Sequence, residues 1–361
     1  MFTQRPEKSQ GTTMKKQLSQ PERMVLFALT EDGMRTDSEV AERVGMKEST
    51  VGAHRRSLIK NGHLKFANYP AFHKLGCEFL VEFFGRTNPA IPLDDKNEVY
   101  TRFFRRNPQI FDAVSGEGFL MASAAFTKVS DLLNFNERHD IFFEDLPTSK
   151  GLLEVAIFPF EISRCSYVYN FAPCIHRILG VSASEPTGRE PKWHKLETPD
   201  LSKVETKVLL EMLEFPTATD AEIASRTKRS RQSVTALRNG FLERELFTRT
   251  AVPTLNSVEF GAVAYVHLKF KPSVNLDKKN SIAGDDWWLQ SCYTLERNSE
   301  LFAVYPFASF KEYSSLMGEY IGPFERSGVL AQHPEIFVVS SENIVDLVDC
   351  AFSPLLRRIL T

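Results

Sequence analysis

The apolar positions of this chain switch between helical and strand spacing in an order that occurs twice. Residues 21–29 place Val25, Leu26 and Leu29 on one helical face, with Pro21 in the first turn. Their counterpart, residues 202–213, sets Val204, Val208 and Met212 four apart. Each predicted helix is followed by a break and a capping box, Thr36-x-x-Glu39 and Thr219-x-x-Glu222. There the Thr hydroxyl accepts a free N–H of the first turn and the Glu reaches back to the cap. The second helix ends near Gly45, a residue that tolerates the positive φ of a tight turn, whereas Lys228 stands at the equivalent place. A third helix is predicted over 48–60 and over 231–244. Val51, Leu58 and Ile59 form its buried side in the first copy, and Val234, Leu237 and Leu242 in the second. The short apolar stretches 64–66 and 246–248 that follow read as the strands of a small wing.

The period then changes to two. Residues 77–84 read as a strand and 93–105 as a helix. Residues 110–114 and 119–126 read as strands around the turn Ser115-Gly116-Glu117-Gly118, 128–138 as a helix and 152–160 as a last strand. The second half repeats this with strands at 263–270, 291–295, 301–305 and 336–340 and helices at 285–289, with Trp287 and Trp288, and at 310–320. The order β-α-β-β-α-β is the ferredoxin-like plan.

Direct comparison of the halves supports a duplication. Thr36-Asp37-Ser38-Glu39-Val40-Ala41 matches Thr219-Asp220-Ala221-Glu222-Ile223-Ala224 at an offset of 219 − 36 = 183 residues. The segment 171–179, Phe-Ala-Pro-Cys-Ile-His-Arg-Ile-Leu, matches 352–360, Phe-Ser-Pro-Leu-Leu-Arg-Arg-Ile-Leu, at 352 − 171 = 181. The fold class expected is therefore α+β, two copies of a winged helix-turn-helix followed by a ferredoxin-like domain. The expected divisions are a polar tail (1–20), a first winged helix (21–70) and a first α/β domain (75–181). A Pro-, Gly- and Ser-rich linker (182–200), a second winged helix (201–253) and a second α/β domain (258–361) follow.

Composition adds limits. The chain has 361 residues, 42% hydrophobic and 25% charged, with a net charge of -2, so any nucleic-acid affinity must come from local concentration of charge. That concentration exists. Residues 47–60 carry Lys47, Arg55, Arg56 and Lys60 against Glu48, and residues 226–244 carry six Arg or Lys against Glu243. Five scattered cysteines without a CxxC pair, and no apolar run near the ~18 residues that span a membrane, point to a cytoplasmic protein.

The candidate DNA-binding residues lie on these basic faces: Lys47, Ser49, Thr50, His54, Arg55, Arg56 and Lys60 in the first half. In the second they are Lys228, Arg229, Arg231, Gln232, Ser233, Thr235 and Arg238. The segments Asp37-Ser38-Glu39-Val40-Ala41-Glu42-Arg43-Val44-Gly45, Ser49-Thr50-Val51, Arg55-Arg56-Ser57-Leu58 and Asn61-Gly62 resemble the leucine-responsive/asparagine-synthase (Lrp/AsnC) regulator family. The resemblance spans about 21–160 and 202–341 and implies double-stranded DNA as partner. It also implies pairing of α/β domains, here within one chain and with further homo-oligomers open, and a small-molecule effector at those domains. The family's effector pattern is a Gly followed shortly by an aromatic-Asp pair. Ser115-Gly116-Glu117-Gly118-Phe119 keeps the Gly alone, and Arg297-Asn298-Ser299-Glu300-Leu301 keeps neither.

No Walker loop, dinucleotide turn or nucleophile elbow occurs. The reading is thus of a non-enzymatic regulator with no catalytic residues, no cofactor and no metal, its two recognition helices reading unequal half-sites. Two rivals stand beside it. One is an enzyme like the haem-pathway decarboxylases of the same two-part build, for which His73, His139, His176, His194, His267 and His333 show no tight spacing. The other is an interaction scaffold that no longer binds DNA. Cys165, Cys174 and His176, at C-x8-C-x-H, match no strong zinc pattern.

Overall fold

A computed structural model describes residues 18–144, 153–165, 169–181, 192–197, 200–284 and 291–361. The first half runs α1 (Gln20–Glu31), α2 (Asp37–Val44), α3 (Glu48–Lys60), β1 (Leu64–Pro70), β2 (Phe79–Arg86), α4 (Leu93–Phe104), β3 (Ile110–Gly116) and β4 (Phe119–Phe126). It continues with α5 (Val129–Phe143), β5 (Glu154–Pro159), β6 (Arg164–Cys165), α6 (Ala172–Leu179) and the short β7 (Lys192–Trp193). The second half runs α7 (Lys203–Glu214), α8 (Asp220–Thr227), α9 (Arg231–Glu243), β8 (Phe247–Pro253), β9 (Ala262–Lys269), α10 (Leu276–Ala283) and β10 (Tyr293–Arg297). It ends with β11 (Glu300–Phe307), α11 (Phe310–Arg326), β12 (Glu335–Ser340), β13 (Val345–Val348) and α12 (Ser353–Leu360). The fold is mixed α/β with antiparallel sheets.

The local chemistry accounts for the helix starts. Glu39 N donates to the Thr36 hydroxyl at 3.3 Å, and Thr36 N donates to the Glu39 carboxylate at 2.7 Å. Thr219 and Glu222 reproduce both bonds at the same distances. Each cap satisfies N–H groups that have no partner inside the helix. The two-residue drop in offset between the halves falls within a strand: β10 has five residues where β3 has seven.

Each half contributes four strands to its own sheet and receives one or two from the other. The first sheet has the order β13-β3-β4-β2-β5, and the second β12-β9-β11-β10-β6-β7. The strand following each half's own four, β6 or β13, thus completes the opposite sheet. The two sheets meet face to face through aromatic pairs. Phe84 lies 5.5 Å from Phe302, and Phe119 lies 4.7 Å from Tyr265, between ring centroids. Burying each such ring contributes about 1.5–3 kcal/mol.

The strands after the third helices correct the wing expectation. β1 and β8 do not form hairpins with their own halves; they pair with each other, Leu64 opposite Pro253 and Pro70 opposite Phe247. This register maps onto itself when the halves are exchanged, as in an isologous dimer contact. The physical reason is burial: the last four residues of each strand are buried, and pairing across the repeat satisfies their backbone groups inside the protein.

The segments 171–179 and 352–360 are α6 and α12, and they join the halves. In α6, Arg177 pairs with Glu312 and donates to the Pro306 carbonyl at 2.7 Å, while Arg23 of α1 donates to the Leu179 carbonyl at 3.1 Å. At the start of α12, Phe352 packs on Tyr69 and Phe111 of the first half, and Arg357 reaches Glu214 of α7 at 3.1 Å. The helix expected at 285–289, the stretch 182–191 of the expected linker and residues 1–17 of the tail lie outside the described residues. Among the described residues between β9 and β10 lies α10, at Leu276–Ala283.

Candidate nucleic-acid interface and interior cavity

The two third helices expose most of the predicted contact residues. In and before α3, Lys47, Ser49, Thr50, Arg56 and Lys60 are exposed, whereas His54 and Arg55 are half-buried. In and before α9, Lys228, Arg229, Arg231 and Gln232 are exposed, whereas Ser233, Thr235 and Arg238 are half-buried. The turn between the second and third helices has the same geometry in both halves. Gly45 has φ 68° and Lys228 has φ 58°, so the lysine adopts the left-handed conformation that glycine takes without strain.

The half-buried arginines are held from within. Arg55 Nε lies 2.8 Å from Asp37 Oδ1, and its Nη2 donates to the Arg35 carbonyl at 2.7 Å. Arg238 Nε donates to Asp220 Oδ1 at 2.6 Å, and the Thr235 hydroxyl donates to Asp220 Oδ2 at 2.6 Å. Each aspartate opens the second helix of its unit, so both ties lock the third helix onto the second. Arg249, on the shared ribbon, stands between the units. Burial, then the charges of Arg238 and Arg55, lower its pKa to about 10. Arg249 Nε donates to Asn68 Oδ1 at 3.2 Å and its Nη2 to the Pro216 carbonyl at 2.6 Å. The ribbon therefore fixes the two basic helices relative to each other.

A second site was not predicted. A cavity of about 90 Å³ lies where the ribbon meets both sheets, lined by residues of β1, β3, β4, β8, β9, β11, β13 and nearby loops. Its polar groups include Lys65, Asp112, Tyr169, Asp346 and Cys350. The Tyr169 hydroxyl donates to Asp112 at 2.5 Å, and Lys65 Nζ lies 2.5 Å from Asp349. Burial pushes the Asp112 carboxyl up to about 7; the Tyr169 bond and Lys65 oppose this, and Asp349 and Asp346 add to it. Burial also raises Asp346. Burial opposes the charge on Lys65, yet Cys350, Asp349 and Asp346 together hold its ammonium above the ordinary range.

Deeper between the sheets, Glu82 is fully buried. It accepts from Ser123 at 2.7 Å and from Tyr293 of the other half at 3.0 Å, and burial raises its carboxyl to about 8. A sequence signal for these acids exists: each interrupts an apolar strand, Phe79-Leu80-Val81-Glu82-Phe83-Phe84 and Ile110-Phe111-Asp112-Ala113-Val114.

The histidines do not gather at the cavity. His73 and His194 stack on each other with centroids 4.4 Å apart, and His267 sits between Glu300 (2.7 Å) and Glu335 (3.0 Å). Asp112, Asp349 and Cys350 bring three ligand atoms within 4.8 Å of one another. Among the described residues no helix is long and apolar enough to cross a membrane.

No protein-family model matches the chain, and no curated protein matches it by sequence. Among solved structures the chain is similar to two groups. The first consists of single-unit regulators. One is a transcriptional regulator from Neisseria meningitidis in complex with L-Met, at 16% identity and TM-score 0.31, covering 39% of this chain and 88% of that one. Another is an AsnC family member from Pyrococcus furiosus, at 22% identity and TM-score 0.29, covering 39% and 88%. The second group extends over nearly the whole chain: the siroheme decarboxylase NirDL, at 12% identity and TM-score 0.47, covers 95% of this chain and 98% of that one. The expectation of a non-enzymatic chain is corrected by that likeness, since the protein similar over 95% of the length is an enzyme.

Proposed function

We propose that this chain binds double-stranded DNA through two unequal winged helix-turn-helix units in the manner of Lrp/AsnC regulators, each unit carried on a ferredoxin-like domain. The observation behind the reading is the pair of equivalent third helices. Each stands behind a capped second helix and a left-handed turn, and each presents exposed cations: Lys47, Arg56 and Lys60 in one, Lys228, Arg229 and Arg231 in the other. Phosphates take the cations, while Ser49, Thr50 and Gln232 are of the right kind for base edges. The faces differ: Ser49-Thr50 corresponds to Gln232-Ser233, and Arg56 to Asn239. Unequal half-sites follow from that difference.

The test is fluorescence anisotropy with a random duplex library at stepped salt, followed by site selection. Affinity should fall steeply as salt rises, with a log–log slope set by the number of phosphates neutralised. Absence of binding near 50 mM salt would remove the reading, and a perfect palindrome from selection would remove the inequality.

The second reading is a decarboxylase-like enzyme; the cavity at the ribbon, about 90 Å³ against the roughly 300–1,000 Å³ of cofactor-sized pockets, is too small to be its tetrapyrrole site.

A further inference from the structure

The cavity at the junction of ribbon and sheets has an imbalance of charge that calls for a ligand. Asp112 and Asp346 line it, and Asp349 stands at Lys65 beside them. Three carboxyl groups face one ammonium among the described residues, and that ammonium is paired with Asp349, whose side chain is 45% accessible; Asp346 is exposed as well. Burial shifts both lining acids toward their neutral forms, and Lys65 only partly opposes it. The wall also has an apolar part, with Met121, Val263 and Val304, beside the polar Thr254, Asn256 and Ser341.

We propose that this cavity binds a small organic ammonium ion, an amine on a short apolar stem, with its nitrogen toward Asp112 and Asp346 and its stem against Met121, Val263 and Val304. Size sets the upper limit. A dry cavity of ~150 Å³ takes benzene, so about 90 Å³ takes a stem of a few carbons with modest adjustment. Charge sets the class. A carboxylate would face three acids and one occupied lysine, so both simple anions and zwitterionic amino acids are disfavoured relative to the bare amine. Asp112 contributes a second preference: the Tyr169 hydroxyl donates to Oδ2 at 2.5 Å, while Oδ1 accepts only a long bond from Cys350 N at 3.5 Å and keeps acceptor capacity for a further N–H donor. Lys65 on the wall and Asp349 beside it have side chains 35% and 45% accessible. The site is independent of the DNA-binding reading, because occupancy is measured on the protein alone.

The experiment is thermal unfolding and titration calorimetry of the full chain with n-butylamine at neutral pH. Norvaline, pentanoate and tetraethylammonium serve as matched controls, with NaCl at equal ionic strength, and ZnCl2 and MgCl2 as separate arms. Butylammonium should raise the unfolding temperature in a saturable way, while norvaline, pentanoate and the oversized tetraethylammonium leave it unchanged. Asp112→Asn and Asp346→Asn should each weaken butylammonium binding by about tenfold, the loss of one charge-assisted partner. Equal protection by pentanoate or norvaline would overturn the charge assignment. Protection by Zn²⁺ or Mg²⁺ alone, abolished by Cys350→Ser, would make the cluster of Asp112, Asp349 and Cys350 a metal site instead. Butylammonium binding that survives both aspartate variants would place it elsewhere.

Discussion

Arg238 Nε donates to Asp220 Oδ1 at 2.6 Å, and 183 residues earlier the equivalent Arg55 and Asp37 form an ion pair at 2.8 Å. The repeat has kept an arginine on the third helix whose partner is the first residue of the second. Both side chains of the Arg238 pair are mostly sheltered, 17% and 19% accessible, which places the bond above an ordinary surface ion pair in strength. Arg238→Ala should therefore lower the stability of the second helix-turn-helix by about 1 kcal/mol, discounted for partial exposure. Arg238→Lys should recover only part of it, for want of the planar fork. Denaturant unfolding measures the loss; an unchanged midpoint would free Arg238 from this role.

Arg231 and Gln232 behave differently in this account. Both are exposed, and they border a shallow surface groove with Ser230, Thr235, Ala236 and Asn239. Arg231→Ala should leave the unfolding midpoint in place while reducing the salt slope of duplex binding by about one. Gln232→Ala should alter sequence preference, at about 1–3 kcal/mol, without changing that slope. Anisotropy titrations on a selected site separate the two effects, and a uniform loss in both variants would contradict the division of labour.

Much of this was legible in the chain because it is written locally. The capping boxes Thr36-x-x-Glu39 and Thr219-x-x-Glu222, and the apolar spacing of the third helices, require only neighbours in sequence. The pairing of β1 with β8 was not legible, since a strand's partner is chosen by tertiary burial and here lies 183 residues away. The same holds for β6 and β13, two and four residues long, whose place in the opposite sheet has no sequence period behind it. The cavity was missed for a related reason. Asp112 and Glu82 are lone acids in apolar strands, but their partners Tyr169, Lys65 and Tyr293 come from distant segments.

Two sets of buried groups bend stability in opposite directions with pH. Burial, with a smaller contribution from His194, lowers His73 to about 3; burial also lowers His194 to about 4. Histidines depressed in the folded state are protonated first in the unfolded chain. Their contribution is complete above pH 6.5 and is lost as the pH falls toward 4 and below. Glu82 is the reverse case. Its carboxyl, raised to about 8, stays protonated in the fold while the unfolded chain ionises near 4.5, so stability is lost as pH climbs from 4.5 to 8. Glu82→Gln, which keeps hydrogen-bonding capacity toward Ser123 and Tyr293, should flatten the alkaline limb by about 1.4 kcal/mol per pH unit, as an order of magnitude. His194→Phe, which keeps an aromatic surface against His73 and Phe160, should flatten the acid limb alone. Unfolding free energies between pH 4 and 8 check both; a variant that shifts the whole curve without changing its slope would refute the assignment.

Gly33 tests how tightly the α1–α3 helices are bound to the other half. It lies in the turn between α1 and α2, and a Cβ placed there would stand 2.7 Å from the Arg249 carbonyl oxygen and 2.9 Å from the Ala251 nitrogen. Both are backbone atoms of β8, held by the ribbon pairing, so neither yields by rotating a side chain. Gly33→Ala should consequently cost about 1–3 kcal/mol as an overpacked contact, rather than gain the few tenths that Gly to Ala often brings in a permissive turn. The damage should also be directional. Amide exchange should quicken in β1 and β8, where the contact is made, more than in the distant α5 and α11, since local opening follows the contacts that are lost. A stability unchanged by Gly33→Ala, or exchange that rises evenly over the chain, would show that the ribbon tolerates separation of the two units.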